Sequence, residues 1–242
     1  MLYDAHVHVG LFPDPKALIC RAHERGIVLL CNSCTLSESE NTIKVLSSQD
    51  ISYPVFAGVH PLYAATESFE ESRLCKLAEQ KLIAGIGECG LDLKTDYPLD
   101  KQIELLDRHL SVAKTYNLPL NLHIRGAHGQ LLSLLKRYRG TVRGIIHNFT
   151  FSYELAKEYL DLGFLLSVGH HILNISPKLS SVLLRVGSDK IVLETDADYK
   201  HNAAYDEQQI KKEYESLGRL FRLEVNDVER TVEQNILNLL GK

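Results

Sequence analysis

The sequence lacks both a long hydrophobic run and a basic leader. No apolar stretch in its 242 residues approaches the roughly 18 that a membrane-spanning helix needs. The N-terminus has no basic region followed by an apolar stretch, which a secretory signal would have. We therefore expect a cytoplasmic protein with no membrane segment.

Cysteine is scarce, and its count is odd. The five cysteines follow no spacing typical of a disulfide framework, so we expect reduced thiols: Cys20, Cys31, Cys34, Cys75 and Cys89. The segment "CNSC" contains a Cys-x-x-Cys, but no second pair is present to complete a tetrahedral zinc site. The thiols are predicted to pack in the core.

Positive charge is also limited. The net charge is −4, and no lysine or arginine cluster is long enough to track a duplex. Any contact with nucleic acid must then be local, with a few nucleotides held in a pocket. Hydrophobic residues make up 45% of the chain and charged residues 24%, which is typical of a globular protein.

Eight apolar, strand-like runs alternate with amphipathic helical patterns. The runs are "MLYDAHVHV", "GIVLLCNS", "YPVFAGVH", "LIAGIGECG", "LPLNLHIR", "VRGIIHNF", "GFLLSVGHH" and "KIVLETDA". Strands that alternate with helices and are buried on both faces predict a parallel sheet. A (β/α)₈ TIM barrel fits eight such units in one α/β domain, and a doubly wound open sheet is the alternative.

Two helix ends carry recognisable signals. The clearest helical pattern, in "DKQIELLDRHLSVAKTYN", is predicted to end at Asn117-Leu118-Pro119. The last helix is predicted to begin near "NDVE", where Asn226 and Glu229 resemble a capping box.

The first strand contains a His-x-His pair. Because side chains alternate along a strand, His6 and His8 point to the same face. Two imidazoles side by side suit a metal ion. The alternative is that one packs in the core and the other faces solvent, and the pair by itself does not decide between the two.

Other polar residues cluster where predicted strands end. Glu88 and Asp196 end two of these strands, and seven histidines lie at or near such ends: His6, His8, His60, His123, His147, His170 and His171. The remaining histidines are predicted on helix surfaces: His23, His109, His128 and His201. A barrel collects reactive groups at the carboxyl rim of its strands. Carboxylates and imidazoles without thiolates indicate a hydrolytic zinc, manganese or similar centre.

Glu88 lies midway around the predicted barrel, between Gly87 and Gly90, which leave room for a close approach. Two neighbouring ions need a bridging group, and a carboxylate has two oxygens for that purpose. The alternative is a strand-end carboxylate in a salt bridge. Because a buried carboxylate is costly unless it is paired, even that alternative requires a cation.

Six segments resemble, in order, the signatures of the TatD family of metal-dependent deoxyribonucleases: "DAHVHV", "GVHP", "GIGECGLD", "NLHIRGA", "IIHNF" and "LETDADY". The resemblance covers nearly the whole chain. It implies a single hydrolase domain over residues 1–242, a somewhat irregular TIM barrel, and two divalent ions (Zn, Mg or Mn) at the strand ends.

The resemblance also implies individual roles. His6, His8 and Asp196 would bind the first ion, His123 and His147 the second, and Glu88 would bridge both. Asp196 would orient the attacking water and accept its proton. His60 and Arg125 would contact substrate phosphate, and an ion pair is the structural alternative for Arg125. Phe149 could stack on a base or pack at the rim.

The chain departs from the family pattern at several positions. It has "HNFTF" from His147 where the family usually has His-Cys-Phe-Ser-Gly, and Asp198 stands where proline is common. His109 replaces a common glutamine, and Cys89 replaces an aliphatic residue.

These observations favour a hydrolase of phosphodiester bonds, specifically a nuclease acting on single-stranded DNA ends. Two cations acidify a shared water and neutralise charge on phosphoryl oxygens. The same chemistry attacks carbonyl carbon, so an ester or amide hydrolase, such as a D-aminoacyl-tRNA deacylase, remains an alternative. A metal-binding component of a larger assembly is the third hypothesis.

Overall fold

The computed structural model describes residues 1–198, 200 and 204–242. Eight parallel strands follow one another in sequence order around a nearly closed barrel. They are β1 (Leu2–Val7), β2 (Ile27–Asn32), β3 (Val55–Ala57), β4 (Gly85–Asp92), β5 (Leu120–Arg125), β6 (Gly144–Ile146), β7 (Phe164–Val168) and β8 (Ile191–Leu193).

The two ends of the sheet meet just beyond β8. Val7 forms a parallel bridge with Ala197, whose carbonyl accepts a hydrogen bond of 2.9 Å from the His8 N–H. The Asp196 N–H donates in turn to the His6 carbonyl at 3.0 Å. The predicted barrel is therefore confirmed. The open doubly wound sheet is excluded, because in an open sheet β1 and the segment after β8 would not pair with each other.

Helices follow the strands and cover the outside of the barrel. In the described part of the chain they are α1 (Pro15–Glu24), α2 (Leu36–Ser48), α3 (Glu71–Glu79), α4 (Leu99–Tyr116), α5 (His128–Arg137), α6 (Tyr153–Leu160), α7 (Pro177–Val186), α8 (Glu207–Phe221) and α9 (Val225–Leu240). No helix among the described residues is long and apolar enough to cross a membrane.

The predicted helix ends had different outcomes. Helix α4 ends at Tyr116, and Asn117 takes the left-handed conformation that commonly terminates helices, which confirms the prediction. The capping box at Asn226 and Glu229 is wrong. Helix α9 begins one residue before Asn226, after an extended Glu224 that provides no side-chain cap. Asn226 is thus already inside the helix, where its side chain cannot act as the cap.

Strand β4 is buried along its whole length and passes very close to β5. A Cβ atom at Gly90 would lie 1.9 Å from the carbonyl oxygen of His123, and one at Gly87 would lie 2.6 Å from that of Asn121. No side chain fits at either contact. The close approach predicted for these glycines is confirmed, and it brings the residue between them, Glu88, toward the ligands on β5.

All five cysteines are free, as expected. Cys31, Cys34 and Cys89 are buried, whereas Cys20 on α1 and Cys75 on α3 are only partly buried. The prediction of core thiols therefore holds for three of them.

Histidines assigned to helix surfaces differ in their surroundings. His23 is exposed as predicted. His109 is fully buried, contrary to the prediction: its Nε2 accepts a 3.1 Å hydrogen bond from the Val59 N–H, and its Nδ1 lies 2.8 Å from the Leu105 carbonyl oxygen. It faces the barrel because α4 packs with this side against the strands. His128 is half-buried beside Tyr159, and His201 lies outside the described residues.

Candidate metal centre

Strands β1, β4 and β5, and the residues just after β1, β6 and β8, bring together the six residues predicted as ligands. Glu88 lies in the middle of β4 and not at its end, as the sequence had indicated. The nitrogen and carboxylate oxygen atoms of these six residues lie close enough to hold a cation, and three overlapping groups have all their ligand atoms within 4.8 Å of one another. The groups are His6–His8–Glu88, His60–Glu88–His123 and His6–His147–Asp196. His170 and His171 are exposed in a short 3₁₀ turn after β7 and take no part in these groups.

The two carboxylate oxygens of Glu88 face different histidines. Oε2 lies 3.2 Å from Nε2 of both His6 and His8, and these two nitrogens are 3.2 Å apart. Oε1 lies 2.9 Å from Nδ1 of His123 and 3.5 Å from Nε2 of His60. Glu88 therefore has the position that a carboxylate bridging two ions requires.

Asp196 faces this centre from the side of β8. Its Oδ1 lies 3.7 Å from Nε2 of His8 and 3.9 Å from Nε2 of His6, and its Oδ2 lies 3.6 Å from Nε2 of His147. The His147 Nε2 is 4.0 Å from Glu88 Oε1. His147 is thus closer to Asp196 than to the bridging carboxylate, and it lies between the two sets of ligands. The Asp196 side chain is 36% exposed, so its oxygens can reach a water molecule.

Each of the four histidines proposed as ligands has a partner for the ring nitrogen that faces away from the centre. These histidines are His6, His8, His123 and His147. Such outer partners fix the orientation of an imidazole that binds a metal. They are Asn121 Oδ1 at 3.2 Å from His6 Nδ1, Cys34 Sγ at 3.5 Å from His8 Nδ1, Glu194 Oε1 at 2.8 Å from His147 Nδ1, and Asp92 Oδ2 at 3.3 Å from His123 Nε2.

None of these outer partners was predicted from the sequence. Strand periodicity could have pointed to Asn121 and to Glu194, since each stands two residues before a predicted ligand in or just after a strand. Nothing in the sequence indicates that Cys34 lies against His8.

The electrostatics of the site suit cations. Burial opposes ionisation of Glu88, but the imidazoles of His60 and His6 hold its pKa well below the ordinary value. Burial also opposes protonation of His147, yet the carboxylates of Glu194 and Asp196 raise its pKa to about 10. The negative potential around His147 thus holds a proton on this imidazole, and a divalent ion can take its place. Imidazole nitrogens and carboxylate oxygens fit zinc or manganese.

His60 has a different bonding pattern from the other histidines of the site. Its Nδ1 accepts a 3.0 Å hydrogen bond from the Leu62 N–H, so the proton of the neutral ring is on Nε2, which faces Glu88. Burial lowers the pKa of His60 to about 3, which keeps the ring neutral. A nitrogen that carries a proton donates hydrogen bonds and does not ligate a metal.

The remaining predicted residues lie at the same rim. Arg125 ends β5, is exposed and lines the cavity above the site. Phe149 is completely buried against Phe151 and cannot stack on a base, so the packing alternative is correct. The "HNFTF" segment has no glycine, and the left-handed conformation falls on Asn148, whose N–H donates to Glu194 Oε1 at 2.8 Å.

The centre opens into a cavity of about 270 Å³. Proposed ligands line it together with side chains from strand ends and loops: Leu11, Cys34, His60, Leu62, Tyr63, Asp92, Arg125, Asp198 and Lys200.

A barrel with this set of histidines and carboxylates at its carboxyl rim is the architecture of metal-dependent hydrolases. The sequence model of the family described as TatD related DNase matches residues 3–241, and the chain belongs to this family. It is a metal-dependent hydrolase of the TatD family.

Two curated relatives and one solved structure illustrate the similarity. The chain is 32% identical to the uncharacterized metal-dependent hydrolase YjjV of Escherichia coli K12, over 80% of this chain and 78% of the relative. It is 31% identical to the 3′-5′ ssDNA/RNA exonuclease TatD of Pantoea ananatis, over 77% and 74%. The crystal structure of E. coli YjjV, a TatD homologue, superposes with a TM-score of 0.83 at 26% identity, over 100% of this chain and 98% of that one.

Proposed function

We propose that this protein is a TatD-type deoxyribonuclease that hydrolyses phosphodiester bonds at the ends of single-stranded DNA. The observation that carries the proposal is the Arg125 guanidinium. It faces the cavity of the metal centre and makes no hydrogen bond or salt bridge with any residue that the structure describes. A planar guanidinium matches the geometry of a phosphate, the group that is attacked in a phosphodiester, whereas the carbonyl that is attacked in an ester or amide carries no negative charge.

We assign the metal ligands as the family resemblance implies them. His6, His8 and Asp196 would hold one divalent ion, His123 and His147 the other, with Glu88 between them. When bound, such ions acidify water and offset negative charge on phosphoryl oxygens. The opposite orientation of the two Glu88 oxygens, each within 3.2 Å of a histidine nitrogen, supports the bridging assignment.

The other residues of the site would guide the substrate and the proton. Asp196 would accept the proton of the attacking water, because its carboxylate is partly exposed to the cavity. His60 would donate from Nε2 to a phosphoryl oxygen, since its Nδ1 is occupied by the Leu62 N–H. Arg125 would hold a second oxygen of the same phosphate.

The nature of the relatives and the size of the cavity support the substrate class. One relative is named as a 3′-5′ exonuclease of single-stranded DNA and RNA. A cavity of about 270 Å³ is no larger than a small-molecule pocket, so it leaves room for a strand end and not for a duplex. We also propose that residues 1–242 act as one hydrolase domain.

The test is an incubation of the purified protein with a labelled single strand, the matching duplex and an aminoacylated RNA, each with Mg²⁺, Mn²⁺ or Zn²⁺ in turn. We expect metal-dependent shortening of the single strand from one end, faster than that of the duplex. Release of the amino acid without cleavage of either DNA would contradict the proposal and establish the deacylase alternative. No turnover of any substrate by metal-loaded protein would favour a binding component of an assembly.

A further inference from the structure

Among the described residues, one arginine and one lysine line the cavity of the metal centre, and they lie at or after the ends of different strands of the barrel. Arg125 ends β5, and Lys200 follows β8. Around the barrel, β6 and β7 lie between these strands in one direction and β1 to β4 in the other. One phosphate at the metals can therefore use Arg125 while Lys200 still points into another part of the cavity.

The lining also contains four acidic side chains. Glu88, Asp92, Asp196 and Asp198 all border the same cavity. The charge of a second phosphate would meet these carboxylates unless a cation accompanied it. Among the residues that the structure describes, Lys200 is the lysine that lines this cavity, so its ammonium group can supply that cation.

Lys200 is held beside an aromatic ring and not by a carboxylate. Its Nζ lies 5.8 Å from the centre of the Tyr63 ring, within the range of a cation–π contact. No salt bridge joins Lys200 to any residue that the structure describes. A ring positions an ammonium group without neutralising its charge, so the charge remains available to an anion.

Tyr63 is itself fixed to the catalytic rim. Its N–H donates a 2.9 Å hydrogen bond to the carbonyl of His60, and the two rings pack edge to face with centres 6.4 Å apart. The loop after β3 therefore presents His60 to Glu88 and Tyr63 to Lys200 at the same time. Any anion bound at Lys200 has a fixed position relative to the reacting phosphate.

We propose that Lys200 and Tyr63 form a subsite for a second phosphate, adjacent in the strand to the phosphodiester group that is hydrolysed. This inference rests on the proposed function and specifies its preferred substrate. The preferred substrate is a strand end with at least two consecutive phosphates, and diesters with one phosphate lose the Lys200 contact.

The test compares dinucleotides that differ in one terminal phosphate. Binding of dTpdT, pdTpdT and dTpdTp to the full, Mn²⁺-loaded chain is measured by calorimetry in the Asp196→Asn background, where we expect slow turnover. One terminal phosphate should strengthen binding about 10-fold, the usual scale of a charge-assisted hydrogen bond. The end that carries the effective phosphate reports the direction in which the strand lies.

Variants assign the effect to the subsite. Lys200→Gln should remove most of the 10-fold ratio between the dinucleotides, and Lys200→Arg should retain it. Tyr63→Ala should reduce the ratio, whereas Tyr63→Phe should preserve it because the ring remains. The control is Lys114→Gln, which removes the same charge from the exposed end of α4 at the opposite end of the barrel and should keep the full ratio.

The outcomes separate this inference from the proposed function. If neither terminal phosphate strengthens binding, or if Lys200→Gln keeps the full ratio, the subsite is wrong even when the wild-type protein cleaves DNA. If the ratio depends on Lys200 but no strand is cleaved, the subsite stands and the proposed reaction is wrong.

Discussion

At the scale of single residues, the histidines of the site differ in what holds their second nitrogen. His6 has an amide, His8 a thiol, and His123 and His147 have carboxylates. A carboxylate partner makes an imidazole a more basic ligand than an amide does. The two sides of the centre therefore differ in ligand strength, although both are rich in imidazole.

The first prediction concerns Glu194, which lies 2.8 Å from His147 Nδ1 and accepts the Asn148 N–H. Glu194→Ala should release the His147 ring and lower metal affinity about 10–100-fold, the usual effect of losing an outer partner. Glu194→Gln retains an acceptor oxygen and should lose less. Metal titration of both variants measures the difference. Equal, wild-type affinity in the two would show that His147 needs no such partner.

The second prediction concerns Asp196. Asparagine keeps one oxygen for coordination but is a very poor proton acceptor, so Asp196→Asn should retain most of its metal. Its turnover of a single-stranded oligonucleotide should fall by about 10²–10⁴-fold, the scale of general-base catalysis. Rates are compared at equal metal content. Near wild-type turnover would mean that another group takes the proton and that Asp196 acts as a ligand alone.

At the scale of secondary-structure elements, the contact between β4 and β5 sets the geometry of the site. Gly90 pairs with His123 in the register of these strands, and Asp92 pairs with Arg125. One pair of strands therefore positions four residues of the site: the proposed bridge Glu88, the ligand His123, its outer partner Asp92 and the phosphate contact Arg125.

The third prediction tests that contact with two glycine substitutions. Gly90→Ala places a Cβ 1.9 Å from the His123 carbonyl oxygen, so β4 must move and we expect a loss of at least about 2 kcal/mol in the free energy of unfolding. Gly129→Ala in α5 is the control, because an added Cβ there meets no atom within 4 Å outside its own helix. Gly129 is the second residue of that helix, so the stability of this variant should stay unchanged or rise by less than the roughly 0.5–1 kcal/mol of an interior position. Denaturant unfolding measures both, and a neutral Gly90→Ala would contradict the close contact.

The fourth prediction concerns Glu213 on α8, which is fully buried against the barrel. Its Oε1 accepts from Gln209 Nε2 at 3.0 Å, and its Oε2 has no partner among the described residues. Burial, together with the nearby charges of Asp4 and Glu194, raises the pKa of Glu213 to about 9. Because the folded state holds this proton more tightly than the unfolded state, stability should fall as pH rises from about 4.5 toward 9.

Glu213→Gln removes that titration, so the free energy of unfolding should fall less steeply as pH rises. At pH 8 to 9 the variant should be more stable than the wild type by about 1–3 kcal/mol, because it no longer buries an unpaired charge. Melting temperatures of the variant and the wild type at pH 6 and pH 9 measure this pH dependence. Asp4, whose pKa burial raises to about 7, leaves part of the slope in place. The control, Glu215→Gln at an exposed position of the same helix, should keep the wild-type slope. An unchanged slope in Glu213→Gln would mean that this carboxyl is not the titrating group.

Element types were predictable from the sequence, whereas several element details were not. All eight strands form where apolar runs predict them, because a strand buried on both faces needs an unbroken apolar sequence. The start of α9 was predicted to within one residue, but its capping box was wrong, since a capping pattern also occurs inside helices. The buried position of His109 could not be predicted, because it depends on which face of α4 meets the barrel.

At the scale of the whole molecule, closure of the barrel creates the site. The proposed ligands come from sequence positions between 6 and 196 and meet because every parallel strand ends at the same rim. The sequence identifies the groups at strand ends, and family resemblance assigns their roles. The sequence does not give the distances between these groups or the partners of the second ring nitrogens of the histidines. Nor does it place Tyr63 beside Lys200, because that contact depends on how separate loops pack.

The central claim is that Glu88 bridges two divalent ions on which hydrolysis depends. Elemental analysis of the purified chain, together with the rate of single-strand cleavage in the same samples, tests it most directly. We predict two ions per wild-type chain, loss of both in Glu88→Ala together with its activity, and wild-type behaviour in Glu24→Ala, an exposed glutamate of α1 that serves as the control. Two ions retained in Glu88→Ala would contradict the bridge, and full activity in a metal-free wild-type chain would contradict the mechanism.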